Sequence, residues 1–313
     1  MRVESDKRVL VIDSHKSSSD VPANNLHWQN ARLIADNLNA DLIWSYPTVN
    51  DEIKSGYDAI VFVHASHYAY TDYAWVDASP SARLFYVTNE YNLGEPRTLW
   101  MAAKNGRRYT VIANHPAEIS KVVKKYVDDW VIVNLNTLVF GQYRHTLKGA
   151  GCVYYGSYRD NRASYFKKYL SHVPLSTHVK NIPKFTSLGV FPMVTPRLDI
   201  QRGDLAKYSH SLYIEDTVTH DNYNFLANRF YEALNSDVVC LFDRSCERTV
   251  RLSSYPIVDD LFVDSGKDVL DRVASKVQWG ADVLGTAAQE RDDVIRSLRK
   301  IVLGDYPDWL LPQ

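Results

Sequence analysis

The chain has 313 residues, of which 45% are hydrophobic and 23% are charged, a composition typical of a globular protein with an ample core. Its formal net charge is −1, so the total does not indicate a strongly basic nucleic-acid-binding protein, although a local basic patch is compatible with it. We see no apolar run near 18 residues and no signal-peptide core, so we expect neither a membrane span nor a secretory leader.

The first half of the chain alternates between short apolar runs rich in β-branched residues and stretches with helical periodicity. We predict strands at 8–13, 41–45, 57–66, 82–91, 108–116 and 129–135. Helices are predicted at 24–40, where Leu33, Ile34 and Leu38 have helical spacing, and at 116–127. Strands separated by helices predict βαβ units and a parallel sheet.

The alternation breaks at residues 136–150, where a polar, glycine-containing segment predicts a crossover into a second domain. It then restarts, with strands predicted at 152–157, 208–216, 237–243 and 260–265 and helices at 160–171, 222–236 and 266–277. A last helix carries Val294, Leu298 and Val302 on one apolar stripe. We therefore predict domains at 1–145 and 146–295, with 296–313 packing back on the first domain.

The chain has three cysteines, an odd number, and none of them has CxxC spacing: Cys152, Cys240 and Cys246. This pattern favours a reduced cytoplasmic protein with inert thiols over a disulfide framework or a metal site.

One segment contains residues suited to binding a ligand. It is VYYGSYRDNR, residues 153–162, which is predicted to be a buried strand, a turn and the start of a helix. Gly156 permits a tight bend, and Ser157 adds a hydroxyl next to the N–H groups of a helix N-terminus. Arg159 and Arg162 carry planar forks suited to phosphate oxygens, so a diphosphate fits the segment. The alternative is a surface turn with two solvated arginines, since the segment has no GxxxxGK[ST] loop.

A second segment is the helix predicted at 222–236. Its first turn contains Asn222 and Tyr223, and Asn228, Arg229 and Glu232 lie opposite the apolar face. The carboxylate of Glu232 would accept both hydroxyls of a ribose, and Arg229 would meet a phosphate. The alternative is an ordinary ion pair three residues apart on a helix surface.

Together these segments resemble the donor domain of the bacteriophage DNA β-glucosyltransferases, which glucosylate 5-hydroxymethylcytosine in duplex DNA with UDP-glucose. YYGSYRDNR is similar to the family's Y-G-G-S-F-R turn, with its second arginine one residue earlier than in the family. DNYNFLANRFYEALNSDVVCLFD is similar to the family's N-F-x-x-x-R-x-W-E-x-x-x-S-D-x-V-x-L-x-D segment. The resemblance covers most of residues 150–280 and is looser in the first half.

The resemblance implies an α/β protein of GT-B type, with two Rossmann-like domains facing across a cleft and a C-terminal helix that crosses back to the first domain. It implies that Ser157, Arg159, Arg162 and Arg229 hold the phosphates of UDP and that Glu232 holds the ribose. Gly156, Asn222, Tyr223 and Asn228 complete the donor site that we predict.

Catalysis is less clearly marked, because the family places an aspartate after a threonine at the end of a strand and this chain has Thr88-Asn89-Glu90 there. Asn89 cannot accept a proton, so either Glu90 is the general base or the enzyme retains configuration and needs none. Asp72 is another acid near a strand end. His64 and His67 lie in an aromatic-rich segment that suits a sugar or an extruded base.

DNA as the acceptor follows from the resemblance, and the basic residues from Arg97 to Lys125 are the expected contact region, with Lys104, Arg107 and Arg108 as candidates. No pattern of metal ligands is present, and no Asp-x-Asp motif follows a strand, so a divalent ion is possible but not indicated.

We therefore predict a UDP-sugar-dependent glycosyltransferase that modifies a flipped-out 5-hydroxymethylpyrimidine, cytosine or uracil, in phage DNA. The expected setting is the cytoplasm of an infected host, and the expected state is a monomer. The sugar, the anomer and the base remain open. The alternatives are a GT-B enzyme acting on a glycan or small acceptor, and a nucleotide-binding or DNA-binding module without turnover, which Asn89 keeps open.

Overall fold

The computed structural model of the chain describes residues 7–13, 26–44, 54–63, 69–88, 106–115, 127–141, 149–177, 179–191, 193–195, 198–199, 203–215 and 225–304. The chain divides into two compact units. One contains the first strand, His27–Leu138 and the chain from Arg291 onward, and the other contains Val139–Glu290.

The first unit is built on strands β1 (Val9–Asp13), β2 (Asp41–Trp44), β3 (Ala59–Val63), β4 (Arg83–Thr88), β5 (Tyr109–Ala113) and β6 (Val127–Ile132). Helix α1 (Leu26–Leu38) and helix α2 (Ala69–Ala78) are also described. The strands form one parallel sheet in the order β2-β1-β3-β4-β5-β6. The predicted parallel α/β arrangement is thus confirmed for this unit.

The central strands β1 and β3 of the first sheet are buried on both faces, because neither has an exposed position along its length. This explains why these strands are continuous apolar runs without polar alternation. Leu33, Ile34 and Leu38 of α1 are buried, as their helical spacing predicted. Trp75 of α2 packs at a ring distance of 6.3 Å from Tyr57.

The second unit is built on strands β7 (Cys152–Tyr155), β8 (Leu175–Ser176), β9 (Val194–Thr195), β10 (His210–Tyr213), β11 (Val239–Asp243) and β12 (Phe262–Val263). Its helices include α3 (Ala163–Tyr169), α4 (Ile182–Ser187), α5 (Asn228–Asn235), α6 (Glu247–Leu252) and α7 (Gly266–Ala274). The strands form a second parallel sheet in the order β12-β11-β10-β7-β8-β9.

The strand order of the second unit fixes where a ligand can bind. Counted from β7 as the first strand of the unit, the order is 3-2-1-4-5-6, which is the order of doubly wound nucleotide-binding sheets. The direction of winding reverses between the adjacent strands β7 and β10. In such sheets ligands bind beyond the carboxyl ends of the two strands at the reversal, because the connecting helices there diverge to opposite faces.

Aromatic side chains hold helix α5 against this sheet. Phe230 is fully buried, and its ring lies 4.7 Å from that of Tyr255, 6.0 Å from that of Trp279 and 6.1 Å from that of Phe242. Edge-to-face contacts of this kind add to the burial of the rings and restrict how they pack. Helix α5 is therefore anchored at its centre, which fixes the residues on either side of Phe230.

The chain returns to the first unit in the last helix, α8 (Val283–Leu303). Val294, Leu298 and Val302 are buried, as the predicted apolar stripe requires. At the end of α8, Arg83 Nη2 donates to Ile301 O at 3.1 Å and to Val302 O at 2.5 Å, and Lys7 Nζ donates to Leu303 O at 2.5 Å. Two cations thus satisfy carbonyls that have no partner within the helix and meet the negative end of its dipole.

The substitution Arg83→Met is expected to lower the free energy of unfolding by about 1 kcal/mol, because it removes one of these cations and leaves carbonyls of α8 without their donor. Denaturant unfolding of the full chain measures it. The control is Arg32→Met, since Arg32 forms an exposed pair with Asp36 at 3.9 Å and should change stability by less than about 0.5 kcal/mol. Equal effects of the two substitutions would contradict the capping role of Arg83.

Some boundaries differ from the predictions. The helix predicted at 222–236 begins only at Asn228, because Ala227 is extended with φ −71° and ψ 158°. The predicted helix at 160–171 starts as a short 3₁₀ turn, Asp160–Arg162, before α3. Strands β8 and β9 were not predicted, since each pairs over two residues and is too short to show a periodic pattern.

Cys152, Cys240 and Cys246 are buried and free. Burial raises the pKa of both Cys240 and Cys246 to about 12, so these thiols are uncharged at neutral pH. Within the described part of the chain, no helix is both long enough and apolar enough to cross a membrane.

Candidate functional site

The candidate site lies at the winding reversal of the second sheet, beyond the carboxyl ends of β7 and β10. Gly156 directly follows β7, and Glu215 lies two residues after β10. Helix α5 contributes Arg229 and Glu232 to this site, and the 3₁₀ turn before α3 contributes Arg162. The parallel sheet thus brings together residues from three separate segments of the chain.

The turn after β7 depends on Gly156. Its φ is +152°, in a region that residues with a side chain rarely adopt. Its N–H donates to Ser176 O at 3.2 Å, and its carbonyl accepts from Thr177 Oγ1 at 2.9 Å. A Cβ at this position would lie 3.2 Å from the Tyr154 hydroxyl and 3.5 Å from Arg229 Nη1. The glycine therefore keeps the backbone close to the buried arginine.

Glu215 is the centre of the site. Its carboxylate is buried, and each of its oxygens accepts from a different arginine, Oε2 from Arg162 Nη2 and Oε1 from Arg229 Nη2. Two guanidinium groups and one carboxylate leave the cluster with one net positive charge. Such a cluster in a partly water-excluded position attracts an anion.

Arg229 remains charged in this position. Burial opposes the charge, but the attraction of Glu215 together with the contributions of Tyr154 and Tyr213 outweighs it, so the pKa of the guanidinium lies well above its ordinary value. The group also lies over the rings of Tyr154, at 5.5 Å, and Tyr213, at 5.7 Å, which favour a cation electrostatically. Its Nη1 atom is buried next to Gly156 and makes no well-aligned hydrogen bond to a described residue.

Glu232 lies one helical turn after Arg229 and is also buried. The hydroxyl of Tyr155, at the end of β7, lies 3.0 Å from Glu232 Oε2 and 3.1 Å from Arg229 O, and can donate to either. Burial, followed by the charge of Glu232, raises the pKa of Tyr155 well above its ordinary value, so this hydroxyl keeps its proton. The carboxylate is thus oriented by a neutral donor from the strand end.

The position of Arg229 and Glu232 corrects the interpretation of helix α5. We expected both on a solvent-facing side, as either a ligand pair or a surface ion pair. Glu232 is buried and Arg229 is only 12% exposed, and they pair with Tyr155 and Glu215 instead of with each other. The physical reason is that the polar face of α5 packs on the carboxyl ends of β7 and β10, while Phe230 and its neighbours cover the other face.

The remaining donor-site candidates are placed as follows. Ser157 and Arg159 are exposed in the turn after Gly156, and Arg159 O accepts from Arg162 N at 3.1 Å. Asn228 is the first residue of α5 and is half-buried. Asn222 and Tyr223 lie outside the described residues. The described residues therefore bring together Gly156, Arg162, Arg229 and Glu232, with Arg159 at the surface beside them.

The catalytic and DNA-contact candidates are mostly beyond the described part of the chain. Asn89, Glu90, His64, His67, Arg97 and Lys104 lie outside it, and Asp72 lies on α2 where only the backbone is described. Arg107 is half-buried, and its Nη2 donates to Ala82 O, so this arginine has a structural partner. Arg108 is exposed.

Comparison with solved structures gives the fold an independent reference. The T4 phage BGT in complex with UDP and Mn²⁺ is similar over 94% of this chain and 99% of its own, with a TM-score of 0.62 and 14% identity. The T4 phage BGT with its UDP-glucose substrate is similar over 94% and 96%, with a TM-score of 0.57 and 17% identity. A structure of the DNA-modifying enzyme β-glucosyltransferase, with and without uridine diphosphoglucose, gives 0.55 and 15% identity over 94% and 96%.

The chain has a GT-B fold. The resemblance to the phage β-glucosyltransferases, stated from sequence motifs, is thereby confirmed at the level of the fold. No protein-family model matches the chain, and no curated protein matches it in sequence. The GT-B assignment therefore depends on tertiary structure together with the two short motifs.

Three residues of this site in the second unit were not predicted from the sequence: Glu215, Tyr155 and Tyr213. Glu215 was included in a predicted strand but was not considered as a site residue. Tyr213 accepts from Ala227 N at 2.8 Å and so fixes the start of α5. The sequence did contain one signal for Glu215, which is an acidic residue near the carboxyl end of a predicted strand. Because the carboxyl ends of parallel strands lie at one edge of a sheet, Glu215 could have been placed near Gly156.

Among the described residues, no group of three or more histidine, cysteine or acidic side chains is arranged to hold a metal ion. The Glu215 cluster supplies two guanidinium groups that can attract an anion.

The substitution Gly156→Ala is expected to weaken UDP binding by about tenfold and to lower stability by about 1 kcal/mol, because the new Cβ is strained and crowds Tyr154 and Arg229. Titration calorimetry and denaturant unfolding measure the two effects. Gly189→Ala is the matched control, since Gly189 has φ +70° but open space around it and should lose stability without losing UDP affinity. Unchanged UDP affinity in Gly156→Ala would show that the turn is not in contact with the nucleotide.

Proposed function

We propose that this protein is a UDP-sugar-dependent glycosyltransferase that transfers a sugar to a 5-hydroxymethylpyrimidine, cytosine or uracil, in duplex DNA. One observation supports the proposal most strongly: Arg162, Arg229 and Glu215 form a cluster next to Gly156. The cluster lies where the strand order of the second unit reverses, and Glu232 follows Arg229 by one helical turn. The likeness of the fold to T4 phage BGT supports the proposal.

The donor half of the reaction follows from the charges. Transfer of the sugar breaks the bond between its anomeric carbon and the terminal phosphate oxygen, so negative charge develops on the departing UDP. Fixed guanidinium groups stabilise that charge without having to reorganise during the reaction. Arg162 and Arg229 are the described groups suited to this role, with Arg159 and the Ser157 hydroxyl at the entrance. Gly156 lets the phosphate approach the backbone, and Asn222, Tyr223 and Asn228 complete the proposed donor site.

Recognition of the nucleotide is assigned to Glu232. A carboxylate accepts hydrogen bonds but donates none, so it suits two adjacent ribose hydroxyls. Tyr155 keeps one oxygen of Glu232 in place by donating to it. This arrangement would discriminate a ribonucleotide from a deoxyribonucleotide, because a nucleotide without the 2′-hydroxyl makes one hydrogen bond fewer to Glu232.

On the acceptor side, the proton of the hydroxymethyl group goes to Glu90 if the enzyme inverts configuration, with Asp72 as a further candidate base. Asn89, which cannot accept a proton, belongs to the same proposed catalytic segment. A base in a duplex must first leave the stack, and His64 and His67 belong to the segment proposed to receive it. Arg97, Lys104, Arg107 and Arg108 are the proposed phosphate contacts. Binding of DNA through such contacts would weaken steeply with salt.

The experiment is mass spectrometry of nucleosides from hydroxymethylated duplex DNA after incubation with the protein and a panel of UDP-sugars. The expected result is a gain of one sugar mass on the hydroxymethylpyrimidine and none on unmodified DNA. Transfer to a glycan or small acceptor, but not to DNA, would replace the DNA part of the proposal. UDP binding without transfer or hydrolysis would indicate a non-catalytic module, and no UDP binding would overturn the proposal as a whole.

A further inference from the structure

A buried carboxylate at the centre of a proposed anion site requires an explanation, because Glu215 has the same sign of charge as the diphosphate. It lies two residues after β10 and is almost inaccessible to solvent. Each of its oxygens accepts from one arginine, Arg162 or Arg229. On charge alone, this residue opposes the ligand.

We propose that Glu215 is a positioning residue of the diphosphate site, which holds Arg162 and Arg229 in the ligand-binding arrangement before the nucleotide arrives. This inference rests on the proposed function. Glu215 does not touch the reacting atoms, and its effect passes through the two arginines.

The geometry favours positioning over simple charge compensation. Arginine side chains have several rotatable bonds, and fixing them at the time of binding reduces the affinity for the ligand. Glu215 fixes both at the time of folding, through one Nη2 atom of each. Arg229 Nη1, which lies next to Gly156 without a well-aligned acceptor among the described residues, remains for a phosphate oxygen.

The substitution Glu215→Gln separates the two effects by the sign of its result. It removes a negative charge, so electrostatic attraction alone would tighten UDP binding. The glutamine amide, however, has one oxygen and one NH₂ group, and the NH₂ group cannot accept from a guanidinium. One of the two arginines therefore loses its hydrogen bond to residue 215 and the position that this bond fixes. We expect positioning to prevail, with UDP binding weakened by about tenfold.

The test measures UDP and uridine binding to the full chain by titration calorimetry, for the unmodified protein, Glu215→Gln, Arg162→Gln and the double variant. A positioning role predicts that Glu215→Gln weakens the binding of UDP but changes the affinity for uridine by less than about twofold, because uridine has no phosphate. It also predicts that the double variant binds UDP only slightly more weakly than whichever single variant has the lower UDP affinity, since Glu215 acts through Arg162. Thermal unfolding checks that the variants are folded.

Two results would overturn the inference: UDP binding by Glu215→Gln that is equal or tighter, or an equal loss for UDP and uridine, which indicates a purely structural role. If Glu215→Gln does not fold, Glu215→Asp keeps the charge on a shorter side chain. It should weaken UDP selectively, and unchanged UDP binding would overturn the inference. Failure of the unmodified protein to bind UDP would overturn the proposed function and this inference together, so the two failures are distinguishable.

Discussion

Replacing Arg229 with methionine is expected to weaken UDP binding by about 100-fold, because the proposed charge-assisted contact between its guanidinium group and the diphosphate would be lost. The side chain is 12% exposed and is held by Glu215 and by the rings of Tyr154 and Tyr213, so no neighbouring cation can replace it without rearrangement. Titration calorimetry with UDP measures the loss. Methionine keeps most of the aliphatic volume, so the change removes mainly the charge and the donors.

The same substitution should also lower the free energy of unfolding by about 2 kcal/mol, since Glu215 would be buried with a single arginine partner. This differs from the expectation for an arginine on a solvent-facing side, which would be removed with no effect on stability. The matched control is Arg248→Met on α6, because Arg248 is exposed in the same unit. It should leave both UDP affinity and stability unchanged. Normal UDP binding by Arg229→Met would refute the proposed donor site.

Replacing Glu232 with glutamine is expected to remove the preference for UDP over 2′-deoxy-UDP, which we expect to be at least about tenfold in the unmodified protein. Glutamine keeps the size of the side chain but replaces one acceptor oxygen with an NH₂ donor. That donor faces either a ribose hydroxyl or the Tyr155 hydroxyl, so one hydrogen bond is lost in each arrangement. Competition binding with the two nucleotides measures the preference.

A second carboxylate of the same unit provides the control for Glu232. Glu290 accepts from the Tyr255 hydroxyl at 2.5 Å, as Glu232 accepts from Tyr155, but it lies on α8 and outside the candidate site. Glu290→Gln should cost comparable stability and leave the preference for UDP intact. If both variants lost the preference equally, it would reflect general loosening of the unit and not contact between Glu232 and the ribose.

The sequence was informative about the fold because central strands of both sheets are buried on both faces. Such strands must be short apolar runs, and the helices between them must carry apolar stripes, so β1, β3 and β11 are visible in the sequence. Strands β8 and β9 are not visible, because two residues cannot display a period. The start of α5 was also misjudged, because Ala227 is extended and the Tyr213 hydroxyl accepts from its N–H.

The sequence was less informative about the site. Gly156, Arg162, Arg229 and Glu232 were selected from two local motifs, and the structure brings them to one end of one sheet. The motifs could not reveal that Glu232 is buried and Arg229 nearly so, because a helix pattern shows only one apolar face and not what packs on the other. They also gave no reason to connect either motif with Glu215, which lies 53 residues after Arg162 and 14 before Arg229.

By itself, the sequence determined the parallel α/β architecture and the residue types that can bind a diphosphate and a ribose, because periodicity and side-chain chemistry are local properties. Only the tertiary structure decided that Glu215 holds Arg162 and Arg229 together and that Tyr155 holds Glu232. These pairings depend on the order of strands in the second sheet, where β7 and β10 are neighbours although 54 residues lie between Tyr155, the end of β7, and His210, the start of β10. Strand order is set by the packing of the whole unit, which no short stretch of sequence records.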